Sequence, residues 1–185
     1  MSKARILYVS QHIVPFLPST QMSSVSRNLP QGVHEKGREI RVFTPRFGKI
    51  NERRHQLHEV IRLSGMNLNV NDTDHPLIIK VASIPSARIQ VYFIDNDTYF
   101  KRKAVLEDAD GNFFEDNDER SLFFVRGVLE TDLRNLKMQI TQLGNNASSG
   151  ETATTAEIRD LRDQIERLAD AVAMTSRRME RTLEM

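Results

Sequence analysis

Cysteine and tryptophan are absent from the 185 residues, and glycine and proline are sparse at 8 and 6. Without cysteine there is no disulfide, no thiolate zinc site and no cysteine nucleophile. No apolar run approaches the roughly 18 residues that a spanning helix needs, and mean hydropathy is negative. An excess of either charge is missing too. The 26 basic side chains meet 25 acidic ones, mixed along the chain, so no basic face for nucleic acid is indicated. Neither nucleic acid nor a membrane is an expected partner. The opening Met1-Ser2-Lys3-Ala4-Arg5-Ile6-Leu7-Tyr8-Val9-Ser10 is basic and then apolar. Its apolar stretch is shorter than a signal-peptide core and lacks a small-residue cleavage site. It reads as the first strand of a cytoplasmic protein.

What is present changes character near Thr131. Ala4 to Ser10 is short, β-branched and apolar, as in a strand buried on both faces. Pro15 and Pro18 break the following loop. A helix is predicted from Ser19 or Thr20 to Lys36, with Met22, Val25, Leu29 and Val33 spaced three or four apart on one face. Pro30 should kink this helix or end its first half, and Gly37 caps it. Glu39 to Thr44 is the second strand, which gives a β-α-β unit and hence a parallel sheet. Four further strands are predicted at 60–63, 67–70, 77–84 and 88–94, separated by Ser64-Gly65, Asn71-Asp72 and Pro85-Ser86. They read as a β-hairpin insertion, with Gln90 to Ile94 returning to the parallel sheet. Helix resumes near Asp118, with Leu122, Val125 and Leu129 on one face.

A heptad then takes over. Leu129, Leu133, Leu136, Ile140 and Leu143 are spaced by fours and threes, and 144–153 reads as a linker. Thr154 and Glu157 form a capping-box signature. Ile158, Leu161, Ile165, Leu168, Val172, Thr175 and Met179 continue the seam. Residues 131–185 are therefore expected to form an α-helical coiled-coil hairpin. That segment could equally recruit a helical partner or a second copy of the chain.

Candidate chemistry is thin. His55 and His58 lie three apart but have no partner cysteine and no obvious acidic third ligand to complete a metal site, and read as surface histidines beside a loop. Asp95-Asn96-Asp97 and Asp108-Ala109-Asp110-Gly111 lack the alternating oxygens and twelfth-position glutamate of a calcium loop, and read as turns. Asp116-Asn117-Asp118-Glu119 suits a helix N-terminus. Ser10 and the serines at 23, 24 and 26 have no histidine or acid at triad spacing. The loop from Gln11 to Gln21 follows the first parallel strand, where a phosphate or sugar ligand commonly sits. It holds neither the glycine nor the lysine that a phosphate cradle uses.

Residues 1 to about 130 resemble the start of bacterial glycogen and starch synthases, the retaining glucosyltransferases of family 5. The resemblance rests on Ile6-Leu7-Tyr8-Val9-Ser10 with Pro15-Phe16, then on Arg27-Asn28-Leu29-Pro30-Gln31 through Lys36-Gly37-Arg38-Glu39-Ile40-Arg41-Val42-Phe43. It continues in Pro45-Arg46-Phe47-Gly48, in Val91-Tyr92-Phe93-Ile94-Asp95 with Tyr99-Phe100, and in Asp116-Asn117-Asp118-Glu119-Arg120. It implies a GT-B enzyme with two Rossmann-like domains across a cleft. Such an enzyme transfers glucose from ADP-glucose or UDP-glucose to an α-1,4-glucan in glycogen biosynthesis, with no cofactor. The family's Lys-Thr-Gly-Gly-Leu loop falls on Pro18-Ser19-Thr20-Gln21-Met22, without the lysine and both glycines. Ser19, Thr20 and Gln21 remain as its substrate-binding candidates. The His-Asp-Trp-His-like strand end expected after the Arg120 helix is replaced by the heptad. The donor-binding domain, with its arginine, lysine and glutamate, has no counterpart here, so no catalytic residue carries over.

The expected architecture is thus α/β: an incomplete Rossmann-like parallel sheet over 1–130 with a hairpin insertion, then a coiled-coil hairpin over 131–185. The function expected is that of a truncated glycogen-synthase-like protein, inactive in transfer by itself, with nucleotide sugar and α-glucan as ligands. The alternative is an interaction or scaffold protein, or a fusion, carrying a non-catalytic α/β domain.

Overall fold

The computed structural model describes residues 5–84, 86–148 and 155–183, which fall into two compact units, Lys3–Phe124 and Val125–Met185. In the first, β1 (Arg5–Val9), α1 (Gln21–Glu35) and β2 (Glu39–Pro45) form the expected β-α-β unit, with β1 and β2 parallel in the register Arg5 to Glu39. Short α2 (Glu52–His55) and β3 (His58–Glu59) follow. Next come β4 (Met66–Val70), β5 (Thr73–Ile84), β6 (Ile89–Asp95) and α3 (Asp97–Phe100). α4 runs from Asn117 to Ser148.

The sheet order is β1-β2-β6-β5-β3, with β4 on β5. It is mixed rather than parallel. Only the β1–β2 and β2–β6 pairs are parallel, while β5 runs antiparallel to β3, β4 and β6. The hairpin insertion is the cause, since tight turns join antiparallel neighbours. Asn71 and Asp72 both take positive φ, 50° and 56°, as a two-residue type I′ turn requires. β4 alternates as its sequence suggests: Leu68 and Val70 are buried, Asn67 and Asn69 exposed. β6 returns to the parallel strands with Val42 opposite Val91.

Residues 60–63 depart from the predicted strand. They form a turn in which the Leu63 amide donates to the Val60 carbonyl at 2.9 Å, and Ser64 Oγ accepts from the Ile79 amide at 2.9 Å. The serine thus satisfies a strand amide and ends the ladder. Pro85, half of a predicted turn, lies outside the described residues.

α1 buries a face other than its apolar stripe. Met22, Val25 and Leu29 are 64 %, 53 % and 52 % exposed, whereas Ser23, Ser26 and Pro30 are buried. The sets differ by one residue, a rotation of about 100°. Small side chains let the helix lie close to β2 and β6, and Ser26 Oγ reaches Ser10 Oγ at 2.7 Å. The helix continues through Pro30. It stops in a Schellman arrangement: the Gly37 amide donates to His34 at 2.8 Å and the Arg38 amide to Val33 at 3.4 Å, with Gly37 at φ +73°.

The inward face of α4's first turns is also shifted from the Leu122, Val125 and Leu129 stripe. Phe123, Phe124 and Val128 are buried and Val125 is 41 % exposed. Phe123 packs on Tyr99, His75 and Phe100 at centroid distances of 5.3, 6.3 and 6.1 Å. These aromatics reward the rotation, because rings bury more area than the leucines they displace.

In the second unit, Thr131, Leu133 and Leu136 of α4 are buried. Helix continues through Gly144 to Ser148, so the beginning of the predicted 144–153 linker is helical. One glycine costs a helix only about 1 kcal/mol. Residues 149–154, including the Thr154 of the predicted capping box, lie outside the described residues. α5 spans Thr155–Leu183. Leu161 is buried and Ile158, Ile165 and Leu168 are half-buried, while Arg162, Glu166 and Arg167 are exposed. From Ile158 to Leu168 the heptad positions are therefore less exposed than Arg162, Glu166 and Arg167.

Candidate functional site at the carboxyl edge of the parallel strands

β1, β2 and β6 end together, and the side chains with chemical potential gather beyond their ends. After β1, the loop does not form an open cradle. Ile13, Phe16 and Leu17 are 1 %, 5 % and 4 % exposed, with Phe16 edge-on to Phe93 at 4.9 Å and to His55 at 5.0 Å. Burial, reinforced by Arg54, holds the His55 pKa below its ordinary value. That histidine serves as a packing partner, and His58 is exposed. Among the described residues no three metal-ligating side chains cluster.

Ser19, Thr20 and Gln21 are all exposed at the start of α1. Thr20 is the N-cap: its Oγ1 accepts from the Ser23 amide at 3.1 Å, and its own amide donates to Ser23 Oγ at 2.7 Å. This closes a capping box with serine in the place of the usual glutamate. Ser19 Oγ stands 3.5 Å from Ser24 Oγ.

Beyond β2 and β6 lies a ring of four charges. Arg46 Nε is 3.0 Å from Asp95 Oδ1 and 3.0 Å from Glu52 Oε1. Lys80 Nζ is 2.8 Å from Asp95 Oδ2 and 2.8 Å from Glu52 Oε1. Arg46 Nε and Asp95 Oδ1 are close enough to attract but are not aligned as a hydrogen bond. Asp95 is 1 % exposed, so its charge depends on these two cations. Burial disfavours the charge on Lys80, but its bonds to Asp95 and Glu52 outweigh that and raise its pKa. Two positive and two negative groups balance, and all four are engaged. The ring fixes loop ends and offers no free acid or base.

Asn96 and Asp97, read above as turn residues, do local work. Asn96 Oδ1 caps α3 by accepting from the Tyr99 amide at 3.2 Å, and Asp97 pairs with Lys101 at 3.0 Å. Asp108 Oδ1 accepts from the amides of Asp110 and Asn112 at 2.8 and 2.9 Å. Tyr99 Oη bonds to Glu119 Oε2 and His75 Nε2, each at 3.1 Å. Its pKa is pushed up by burial first and by Glu119 second. Asp116 is clamped by both terminal nitrogens of Arg102, which hold its carboxyl below the ordinary range despite burial.

Residues 5–143 match the model of the starch synthase catalytic domain. The chain belongs to that family. Glycogen synthases of Chlorobium limicola and Chlorobium chlorochromatii are 39 % and 40 % identical over 69 % and 71 % of the chain. The chain spans about a quarter of the length of these relatives (26 % and 27 %). The catalytic domain of starch synthase IV from Arabidopsis thaliana, bound to ADP and acarbose, shares the fold with a TM-score of 0.60. That likeness covers 72 % of this chain and 26 % of the other, at 16 % identity. The starch synthase family match thus takes in α4 to residue 143, beyond the 130 at which the sequence resemblance was placed.

Sequence reasoning singled out Ser19, Thr20 and Gln21 but missed the charge ring. Arg46 and Asp95 lay in segments quoted for the family resemblance. Glu52 and Lys80 carried no signal, since only the antiparallel return of β5 brings residue 80 beside residue 95.

Proposed function

We propose that this chain is part of a glycogen-synthase-like glucosyltransferase and holds the glucan- and sugar-facing edge of one Rossmann-like half. ADP-glucose or UDP-glucose would be the donor and an α-1,4-glucan the acceptor, in the cytoplasm and without a cofactor. The observation that carries this reading is the family match across residues 5–143, joined to an exposed segment 19–21 beyond a parallel strand. Ser19, Thr20 and Gln21 would hydrogen-bond sugar hydroxyls or phosphate. The chain would not transfer glucose by itself, because its loop has neither lysine nor glycine to bring a diphosphate against the backbone. Ile13, Phe16 and Leu17 fill that loop instead. Retardation in a glycogen-containing native gel tests the glucan part. Wild type should be slowed, and Ser19→Ala with Gln21→Ala should migrate several-fold closer to an inert standard. Equal migration with and without glycogen would sink it.

Residues 131–185 would supply association through the half-buried seam of α5, either as a coiled-coil hairpin with α4 or with a second copy. Leu161→Asp with Leu168→Asp desolvates charge at seam positions. Sedimentation should then show a lower oligomeric state than wild type, and an unchanged state would remove this part of the reading.

A further inference from the structure

At the amino ends of the parallel strands, opposite the edge that carries residues 19–21, the first unit has an open hollow of about 570 Å³. That lies within the range of small-molecule sites, about 300–1,000 Å³. Glu39 and Arg41 of β2, Gln90 and Tyr92 of β6, Ser83 of β5 and Arg88 of the β5–β6 turn all line it.

The charges of the hollow do not cancel. Glu39, its one acid, is already shared: Arg5 Nε stands 3.1 Å from Oε2 and Arg41 Nη2 stands 3.6 Å from Oε1. Arg88 is exposed and has neither a hydrogen bond nor an ion pair among the described residues. One carboxylate thus serves two arginines, and the third is left over.

The backbone that carries Arg88 is held in place. The Ala87 amide donates to the Ile84 carbonyl at 3.0 Å, and Arg27 Nη2 of α1 donates to Ser86 Oγ at 2.6 Å. Arg88 itself takes φ +51°, in the left-handed region that glycine enters most easily. Glycine would make this turn at less cost, and the arginine side chain gives the turn no contact in return. Across the floor, Tyr92 stacks on Phe43 at 5.3 Å and its hydroxyl donates to Gln90 Oε1 at 3.4 Å. Gln90 and Ser83 are exposed and supply both donors and acceptors.

We propose that this hollow binds a phosphorylated sugar, with its phosphate on Arg88 and Arg41 and its hydroxyls on Gln90 and Ser83 beside the Tyr92 ring. Guanidinium forks match phosphate geometry, whereas an uncharged sugar would leave the surplus positive charge unanswered. The site lies on the other edge of the sheet from Ser19, Thr20 and Gln21 and does not rest on the glucan reading.

Magnetic resonance titration of the whole chain with glucose 6-phosphate tests this. Amide signals of Arg41, Arg88, Gln90 and Tyr92 should shift saturably, while those of Ser19, Thr20 and Gln21 stay in place. Inorganic phosphate should bind several-fold more weakly, and glucose should move nothing. Arg88→Gln should weaken binding about tenfold or more, as expected for the loss of a charge-assisted hydrogen bond, with the thermal midpoint unchanged. Arg38→Gln removes another exposed arginine that does not line the hollow, and should leave the affinity as it was. The absence of a saturable shift with glucose 6-phosphate would overturn the proposal. So would equal losses in the two variants, the mark of diffuse attraction. Equal affinity for inorganic phosphate would also overturn it, by reducing the hollow to a simple anion site.

Discussion

Asp95→Asn should destabilise the protein by about 3–5 kcal/mol, the range for breaking a buried ion pair by removing one partner. The substitution preserves shape and hydrogen-bonding capacity but leaves Arg46 and Lys80 facing only Glu52, which is itself partly exposed. Two cations taken out of water would then share one carboxylate. Urea unfolding should show the loss as a lower midpoint with an unchanged slope. A cost below about 1 kcal/mol, the range for an exposed pair, would mean that water already screens the ring. Lys80 adds a pH signature. Its pKa is raised above 10.5 in the folded chain, so the stability it contributes is fully present below pH 10.5. That contribution is lost as pH rises through the folded value. Lys80→Met should therefore unfold more readily at neutral pH and lose this alkaline dependence.

Gly48→Ala should cost about 3 kcal/mol or more, at the upper end of overpacking penalties. A Cβ at this position would overlap the backbone carbonyl oxygens of Lys101 and Arg102 and lie 2.7 Å from the Arg102 carbonyl carbon. Backbone cannot rotate away as a side chain can. Relief requires moving the segment after α3, which carries Arg102 and its clamp on Asp116. Gly32→Ala is the internal control. Nothing lies within 4 Å of its new Cβ, and a helical Gly→Ala exchange favours the helix by up to about 1 kcal/mol. The two alanines should thus shift the thermal midpoint in opposite directions. Equal effects would show that close approach at Gly48 is not what demands glycine.

These contrasts mark what the chain reveals without its structure. The β-α-β opening, the Asn71-Asp72 turn and the Gly37 cap were legible because each depends on neighbours in sequence: a β-branched run, two residues tolerant of positive φ, one glycine after a helix. Residues 60–63 were not, because Ser64 ends the ladder through Ile79, fifteen residues away. Apolar spacing located stripes on α1 and α4 but did not tell which side of each helix is buried. Periodicity finds a stripe, whereas burial depends on what lies opposite. Opposite α1 that favours the small Ser23, Ser26 and Pro30, and opposite α4 the aromatic Phe123. The exposed stripe of Met22, Val25 and Leu29 is what the same pattern leaves behind. At the candidate site, the loop after β1 was legible from topology. The charge ring was not, since its members at 46, 52, 80 and 95 meet only after the hairpin folds back.

Glucosyl transfer from ADP-glucose, and separately from UDP-glucose, onto glycogen by the purified chain is the decisive measurement. A glycogen-synthase-like portion whose 18–22 loop has lost the lysine and glycines should show no transfer above the protein-free background with either donor. Sustained, donor-dependent incorporation of glucose would instead mean that the chain itself carries a working transfer site.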